Sequence, residues 1–218
     1  MNRFPYTIVD NFFKDPDSIL AYAKTLQYTQ DNPRYPGWRS KNIREVNPDL
    51  WQEIVAKIAL LFADYSDGDD WEVHNISADA DMYFQKSDGT FDIGHIHRDF
   101  CMTAMIYLSE GDENENEGTS LYKKRKDILI PQLDPEDYKQ ELIANRDGEG
   151  WREYCKNCAK QFYKTLDVKN EYNRLFIFDE EYHAANKMSD DRYFMVIFFN
   201  NLTMRNYPIE RKNYRSVI

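Results

Sequence analysis

The chain has four histidines in 218 residues, His74, His95, His97 and His183. His97, Arg98 and Asp99 form an HxD. On a strand, residues two apart point to the same side, so this imidazole and this carboxylate can reach one metal ion. A chain rich in acids meets that spacing by chance, so its surroundings have to support it. Met102 to Leu108 follows at once as a strand pattern, with Tyr107 near its end. His183 comes just after a second strand pattern, Arg174 to Asp179. Arg192 stands nine positions further on, at the head of an apolar run. Two imidazoles and one carboxylate on one side of a metal leave three positions open, which suits Fe(II) that must bind both a cosubstrate and dioxygen. An arginine entering from a neighbouring strand can hold a carboxylate by two parallel hydrogen bonds. His95 shares a face with His97 and competes with it as a ligand, and the HxD spacing selects His97. His74 and His95 read as structural.

The elements that would position these residues follow from pattern. Tyr6 to Val9 reads as a short strand. Asp15-Pro16 is a helix start, with the aspartate as cap and the proline in the first turn. Ile19, Leu20, Ala23 and Leu26 give that helix one apolar face. A loop with Pro33, Pro36 and Gly37 follows, and Asn47-Pro48 repeats the start signal before a second amphipathic helix through Leu61. From Trp71 the period changes to two. Trp71–Ala78, Asp81–Gln85, His95–Asp99 and Met102–Leu108 read as strands, with Ser87-Asp88-Gly89 as a turn. Glu110 to Glu117 is an acidic loop, and Gly118 to Tyr122 a short strand. Asp134-Pro135 is a further helix start, and Tyr154, Cys158, Phe162 and Leu166 keep helical spacing. The segment from about 123 to 171 therefore reads as a helical insert. Tyr172–Asp179 and Arg192–Asn200 close the series as strands, the last apolar on both faces. Helices first, then many short strands, predict a mainly β chain: a β-sandwich or jelly roll with flanking N-terminal helices over 15–66, a helical insertion, and one domain over 1–218.

Composition narrows the function. Hydrophobic residues are 42% and aromatics 15%, which is globular and favours sheet. A formal net charge of -10 disfavours a nucleic-acid surface. The basic strip Lys123 to Lys126, and Arg205, Arg211, Lys212 and Arg215, read as solvated. The three cysteines, Cys101, Cys155 and Cys158, lack a disulfide framework and suit a reducing, cytoplasmic setting. The CxxC reads as two neighbours on one helix face. The opening MNRFPYTIVDNFF lacks the apolar core of a signal peptide, and no apolar run matches a membrane span.

The segments DIGHIHRDF, TAMIYL, EGTSLY, NRLFIFDEEYHAANKM and DRYFMVIFFN, in this order, resemble the core of the 2-oxoglutarate and Fe(II)-dependent oxygenases. IVDNFF followed by a helix resembles the start of their prolyl-hydroxylase-like branch. The resemblance spans most of the chain, apart from the insert after Tyr122 and the basic tail. It implies a double-stranded β-helix. It implies His97, Asp99 and His183 as iron ligands, and Arg192 as partner of the distal carboxylate of 2-oxoglutarate. Tyr107 matches a position that often bonds the same carboxylate, and Tyr83, on the previous strand, is a further candidate for lining that pocket. Gly118-Thr119 stands where the family usually has Gly-Gly, and the long insert implies a different substrate mouth.

The implied activity is hydroxylation of a peptide, amino acid or other small molecule, with Fe(II), 2-oxoglutarate and dioxygen. Two rival readings stay open. One is a cupin-type metalloprotein without 2-oxoglutarate chemistry. The other is a jelly-roll binding module that has lost turnover.

Overall fold

A computed structural model describes residues 6–30, 37–62, 77–88, 95–99, 101–111, 117–126, 149–186 and 190–203. The N-terminal helices form where their caps predict. In α1 (Pro16–Thr25) the Asp15 carboxylate accepts from the Ser18 amide at 3.2 Å. Asn42 caps the short α2 (Ile43–Val46), and Asn47 caps α3 (Pro48–Leu60), its side chain accepting from the Leu50 amide at 3.1 Å. Each cap satisfies an amide that the first helical turn leaves without a partner.

Among the described residues ten strands make two antiparallel sheets. The larger has the order β1-β8-β5-β10-β4-β3-β2, and the smaller β7-β6-β9. The strands are β1 (Tyr6–Val9), β2 (Tyr28–Thr29), β3 (Trp38–Ser40), β4 (Ser77–Asp88), β5 (Met102–Tyr107), β6 (Thr119–Lys124), β7 (Phe162–Val168), β8 (Leu175–Asp179), β9 (Tyr182–Ala185) and β10 (Asp190–Thr203). The long strands β4 and β10 pair from Asp88↔Asp190 to Ser77↔Thr203 and form the spine of the large sheet. From β4 onward the chain passes back and forth between the sheets. His97 bridges to His183 of β9, so the HxD segment occupies a fourth strand position beside the small sheet. This alternation, with every neighbour antiparallel, is a double-stranded β-helix, the jelly roll expected.

The large sheet has two apolar faces. One carries Met82, Phe84, Ala104, Ile106, Ile177, Met195 and Ile197, and it packs on Ala23, Ile43, Ile54, Val55 and Ile58 of the helices. The other meets the small sheet, where Met105, Tyr107, Phe176, Phe178 and Phe194 pack with Leu121 and Val168. Residues paired across neighbouring strands share a face, so the inner face can be read as rows. One row is Arg39–Gln85–Phe194–Tyr107, the next Tyr83–Val196–Met105–Phe176, and the next Asp81–Phe198–Thr103–Phe178.

Several elements differ from expectation. Helix α4 (Glu149–Ala159) stops before Phe162, and Phe162–Val168 is strand β7, paired with β6. Phe162 and Leu166 are four apart, a spacing that fits a helix face and a strand face equally. The ladder to β6 decides between them. The helical insert thus loses its last part to the small sheet, and β6 claims its first residues to Lys124. Residues 127–148, with the Asp134-Pro135 start, lie outside the described residues, as do 71–76, 204–218 and most of the loop at Pro33. The two strands expected around Ala78–Asp81 are one, β4, which runs on through Ser87 and Asp88 rather than turning there. His95–Asp99 contributes a single bridge instead of a full strand. Tyr172 and Asn173 form a turn before β8. The stretch around Gly37 adds β2 and β3 between α1 and α2.

Candidate metal centre and its anion pocket

His97 and His183 are brought together by backbone. The His97 amide donates to the His183 carbonyl at 3.0 Å, and the His183 amide returns to the His97 carbonyl at 2.8 Å. The two rings then lie with centroids 4.3 Å apart. Asp99 reaches the same point: its carboxylate lies 3.8 Å from His97 Nε2 and 3.4 Å from His183 Nε2. One ligand atom from each of the three lies within 4.8 Å of the others.

Both rings are oriented by their other nitrogen. His97 Nδ1 lies 2.9 Å from the His95 carbonyl, and His183 Nδ1 lies 3.0 Å from the Glu181 carbonyl. A carbonyl oxygen only accepts, so Nδ1 carries the proton in both rings. Each Nε2 lone pair is thereby turned to the shared point. Burial, and then the neighbouring His97, push the His183 pKa down to about 4, which keeps its lone pair available. Thr103 in β5 donates to the second Asp99 oxygen at 2.8 Å and fixes that carboxylate. Two neutral imidazoles and a carboxylate in this arrangement can hold a divalent transition metal.

His95 is not in the group. Its ring stacks on His97 at 5.7 Å and on Tyr154 of α4 at 5.6 Å. It orients His97 through its carbonyl and marks where α4 comes against the HxD segment. The three cysteines are free thiols. Burial, then Cys158, push the Cys155 thiol up to about 12, so it is an inert thiol rather than a soft ligand.

Arg192 lies deeper between the sheets. It is 1% exposed, and its guanidinium carbon sits 5.5 Å from the Tyr107 ring and 5.6 Å from that of Phe194. Nη1 donates to the Glu117 backbone carbonyl. Nε and Nη2 are buried without a hydrogen-bond partner among the described residues. Burial pushes its pKa down, opposed by the neighbouring Tyr107 and Glu117. An unpaired buried donor costs about 1–3 kcal/mol, more when charged, so the fold carries a penalty that an anion would remove. The Tyr107 hydroxyl donates to Thr119 Oγ1 at 2.9 Å, which leaves its oxygen able to accept. Phe178 links the two regions, with its ring 4.5 Å from His183 and its side chain in the same cluster as Tyr107 and Phe194. Tyr83 faces the same interior but on the other flank, beneath the Arg39 guanidinium at 5.0 Å.

Of the six residues expected in the site, His97, Asp99 and His183 converge, Arg192 and Tyr107 form a second cluster, and Tyr83 stands apart from both. Thr103, Thr119 and Glu117 were given no role in the site from the sequence. A lone threonine or glutamate carries no spacing signal, and only the ladders place them.

The fold and the convergence of His97, Asp99 and His183 define a double-stranded β-helix protein with a candidate metal centre at its mouth. Residues 1–194 match the family described as "Family of unknown function (DUF6445)", and the chain belongs to it. None of the curated proteins matches the sequence. Among solved structures, HygX from Streptomyces hygroscopicus, with nickel, 2-oxoglutarate and hygromycin B bound, is similar at 12% identity and a TM-score of 0.48, over 89% of this chain and 82% of that one. The non-heme alpha ketoglutarate dependent epimerase SnoN from nogalamycin biosynthesis shows 14% identity and a TM-score of 0.48, over 94% and 82%. A viral collagen prolyl hydroxylase from Paramecium Bursaria Chlorella virus-1 shows 10% identity and a TM-score of 0.42, over 94% and 96%. Likenesses of this size leave the site to be judged on its own residues.

Proposed function

We propose that this protein is a 2-oxoglutarate-dependent Fe(II) oxygenase that hydroxylates a peptide, an amino acid or another small molecule. The observation that carries the reading is Arg192, a buried guanidinium with two unpartnered nitrogens on the same inner surface as a His–Asp–His cluster. The donor set fits the iron, with neutral Nε2 atoms from His97 and His183 and a carboxylate from Asp99. The orphaned nitrogens fit the cosubstrate, since Nε and Nη2 present the parallel pair of donors that a carboxylate takes. A cupin-type metalloprotein without 2-oxoglutarate would leave these donors without a role.

In this reading His97, Asp99 and His183 hold the iron, and Thr103 and the His95 and Glu181 carbonyls hold the ligands in place. Arg192 binds the distal carboxylate of 2-oxoglutarate, and the Tyr107 hydroxyl, steadied by Thr119, borders it. Phe176, Phe178 and Phe194 keep water from that pocket. When bound, iron and 2-oxoglutarate supply, with dioxygen, the oxidising equivalent that hydroxylates a substrate carbon. Tyr83, the further candidate for lining this pocket, stands on the other flank beneath the Arg39 guanidinium and is given no part in holding the cosubstrate. The free thiols suit a reducing compartment such as the cytoplasm, and no helix among the described residues is long and apolar enough to cross a membrane.

The test is conversion of 2-oxoglutarate to succinate by purified protein with Fe(II), titrated in wild type, Arg192→Lys and Tyr107→Phe. Arg192→Lys keeps the charge and loses the fork. Its requirement for 2-oxoglutarate should rise at least tenfold, about 1.4 kcal/mol or more, with iron affinity little changed. Equal requirements in Arg192→Lys and wild type would remove the cosubstrate role and favour the cupin reading.

A further inference from the structure

The two imidazoles of the centre are secured unequally. His183 lies in β9, its side chain is 8% exposed, and its ring rests on Phe178 at 4.5 Å, in a strand paired on both sides. His97 lies on an isolated bridge, and its side chain is 45% exposed. Its ring is steadied from the segment before it. The His95 ring lies 5.7 Å away with the two planes 5° apart, and the His95 carbonyl takes the Nδ1 proton at 2.9 Å. Both supports depend on His95 keeping its place.

His95 itself belongs to no strand, and its ring rests on Tyr154 of α4, at 5.6 Å with the planes 26° apart. Helix α4 is seated by one face. Tyr154, Cys155 and Cys158 are buried, at the one- and four-residue spacings of a single helix side, while Arg152, Glu153 and Lys156 are exposed. Tyr154, His95, His97, His183 and Phe178 thus make one continuous series of ring contacts, with the two candidate ligands inside it. At the Phe178 end the series is fixed by the large sheet. At the Tyr154 end it is fixed by a helix from a different part of the chain.

We propose that Tyr154 is a positioning residue of the metal centre: through the His95 ring it holds His97 in its ligating tautomer and orientation, so that the seating of α4 and the uptake of metal are coupled. A group that orients a ligand histidine raises metal affinity without touching the metal. Coupling of this kind is reciprocal, so whatever factor the seated helix adds to metal affinity, the metal adds to the seating of the helix. The proposal rests on the metal centre of the oxygenase reading and is independent of 2-oxoglutarate.

Mn(II) alone is the probe, titrated by calorimetry into the full chain. Tyr154→Leu keeps the burial and loses the flat ring, and it should weaken Mn(II) about tenfold, the lower end of what a lost support costs. Tyr154→Phe and His95→Phe keep a ring in the series and should stay within about twofold of wild type. In wild type, saturating Mn(II) should slow hydrogen exchange at the Tyr154, Cys155 and Cys158 amides by about the same tenfold, and in Tyr154→Leu it should not. The assignment falls if Tyr154→Leu binds Mn(II) as wild type does, if either Phe variant loses as much as Tyr154→Leu, or if Mn(II) leaves exchange along α4 unchanged. Failure of wild type to take up Mn(II) would instead sink the oxygenase reading. The ring ¹⁵N shifts of metal-free protein would then still decide the role of Tyr154. A single Nδ1–H tautomer of His97 in wild type and a mixture in Tyr154→Leu would uphold it, and the same tautomer in both would end it.

Discussion

At the residue scale, the centre depends on groups that hold ligands as much as on the ligands. Asp99 faces the mouth, with its side chain 22% exposed, and is not part of either apolar cluster. Asp99→Ala should abolish turnover and metal uptake while folding stability stays within about 1 kcal/mol, checked by metal titration beside a denaturation curve. Thr103→Val removes only the hydroxyl that donates to Asp99 at 2.8 Å. Losing such a support typically costs about 10–100-fold in metal affinity, and the same titration should show it. An unchanged affinity would mean that Asp99 is held without Thr103.

At the element scale, the pocket is set by how β6 is pinned between β7 and β9. A Cβ at Gly118 would stand 1.7 Å from the Val168 carbonyl oxygen, so only glycine lets the two backbones approach here. Gly118 neighbours both Glu117, whose carbonyl takes Arg192 Nη1, and Thr119, which takes the Tyr107 hydroxyl. Gly118→Ala should cost about 1–3 kcal/mol in chemical denaturation and weaken 2-oxoglutarate as well, since backbone rather than a flexible side chain must give way. A destabilised variant with unchanged 2-oxoglutarate affinity would show that β6 can shift without carrying the pocket. Asn173 does similar work at the other end. With φ at +63°, it exchanges hydrogen bonds of 2.7 and 2.8 Å with the Phe13 backbone and ties the start of β8 to the N-terminal segment.

At the scale of the whole molecule, the proposed function makes folding and cosubstrate binding one problem through the Arg192 nitrogens that have no partner among the described residues. A ligand that binds only the folded state stabilises it by about 2.7 kcal/mol at a hundred times its dissociation constant. For a chain of this size that corresponds to a rise of about 5–10 °C in Tm. Mn(II)-loaded wild type should show this rise with 2-oxoglutarate, and Arg192→Lys at the same concentration should show much less. Equal shifts in the two proteins would mean that the added carboxylate finds another seat.

What the sequence determined by itself is local. Caps at Asp15 and Asn47 act through neighbouring amides, and the HxD spacing acts through the alternation of a strand, so each is legible in a few consecutive residues. His183 and Arg192 were legible because they border strands whose apolar pattern is strong. Tertiary structure alone decided whatever depends on partners distant in the chain. Phe162 and Leu166 fit two periods, and the ladder to β6 made them strand. His95 and His97 share a face in sequence and the HxD spacing selects His97, but only the bridge to His183 carries it to the same point as that second imidazole. Tyr83 and Tyr107 looked like parts of one pocket, yet the register sets them two strands apart, one beneath Arg39 and one beneath Arg192. Arg39 and Gln85 are 46 residues apart, and no local pattern joins them. Contacts of that range exist only once the sheet has assembled, because it is the pairing of strands that brings their side chains onto one face.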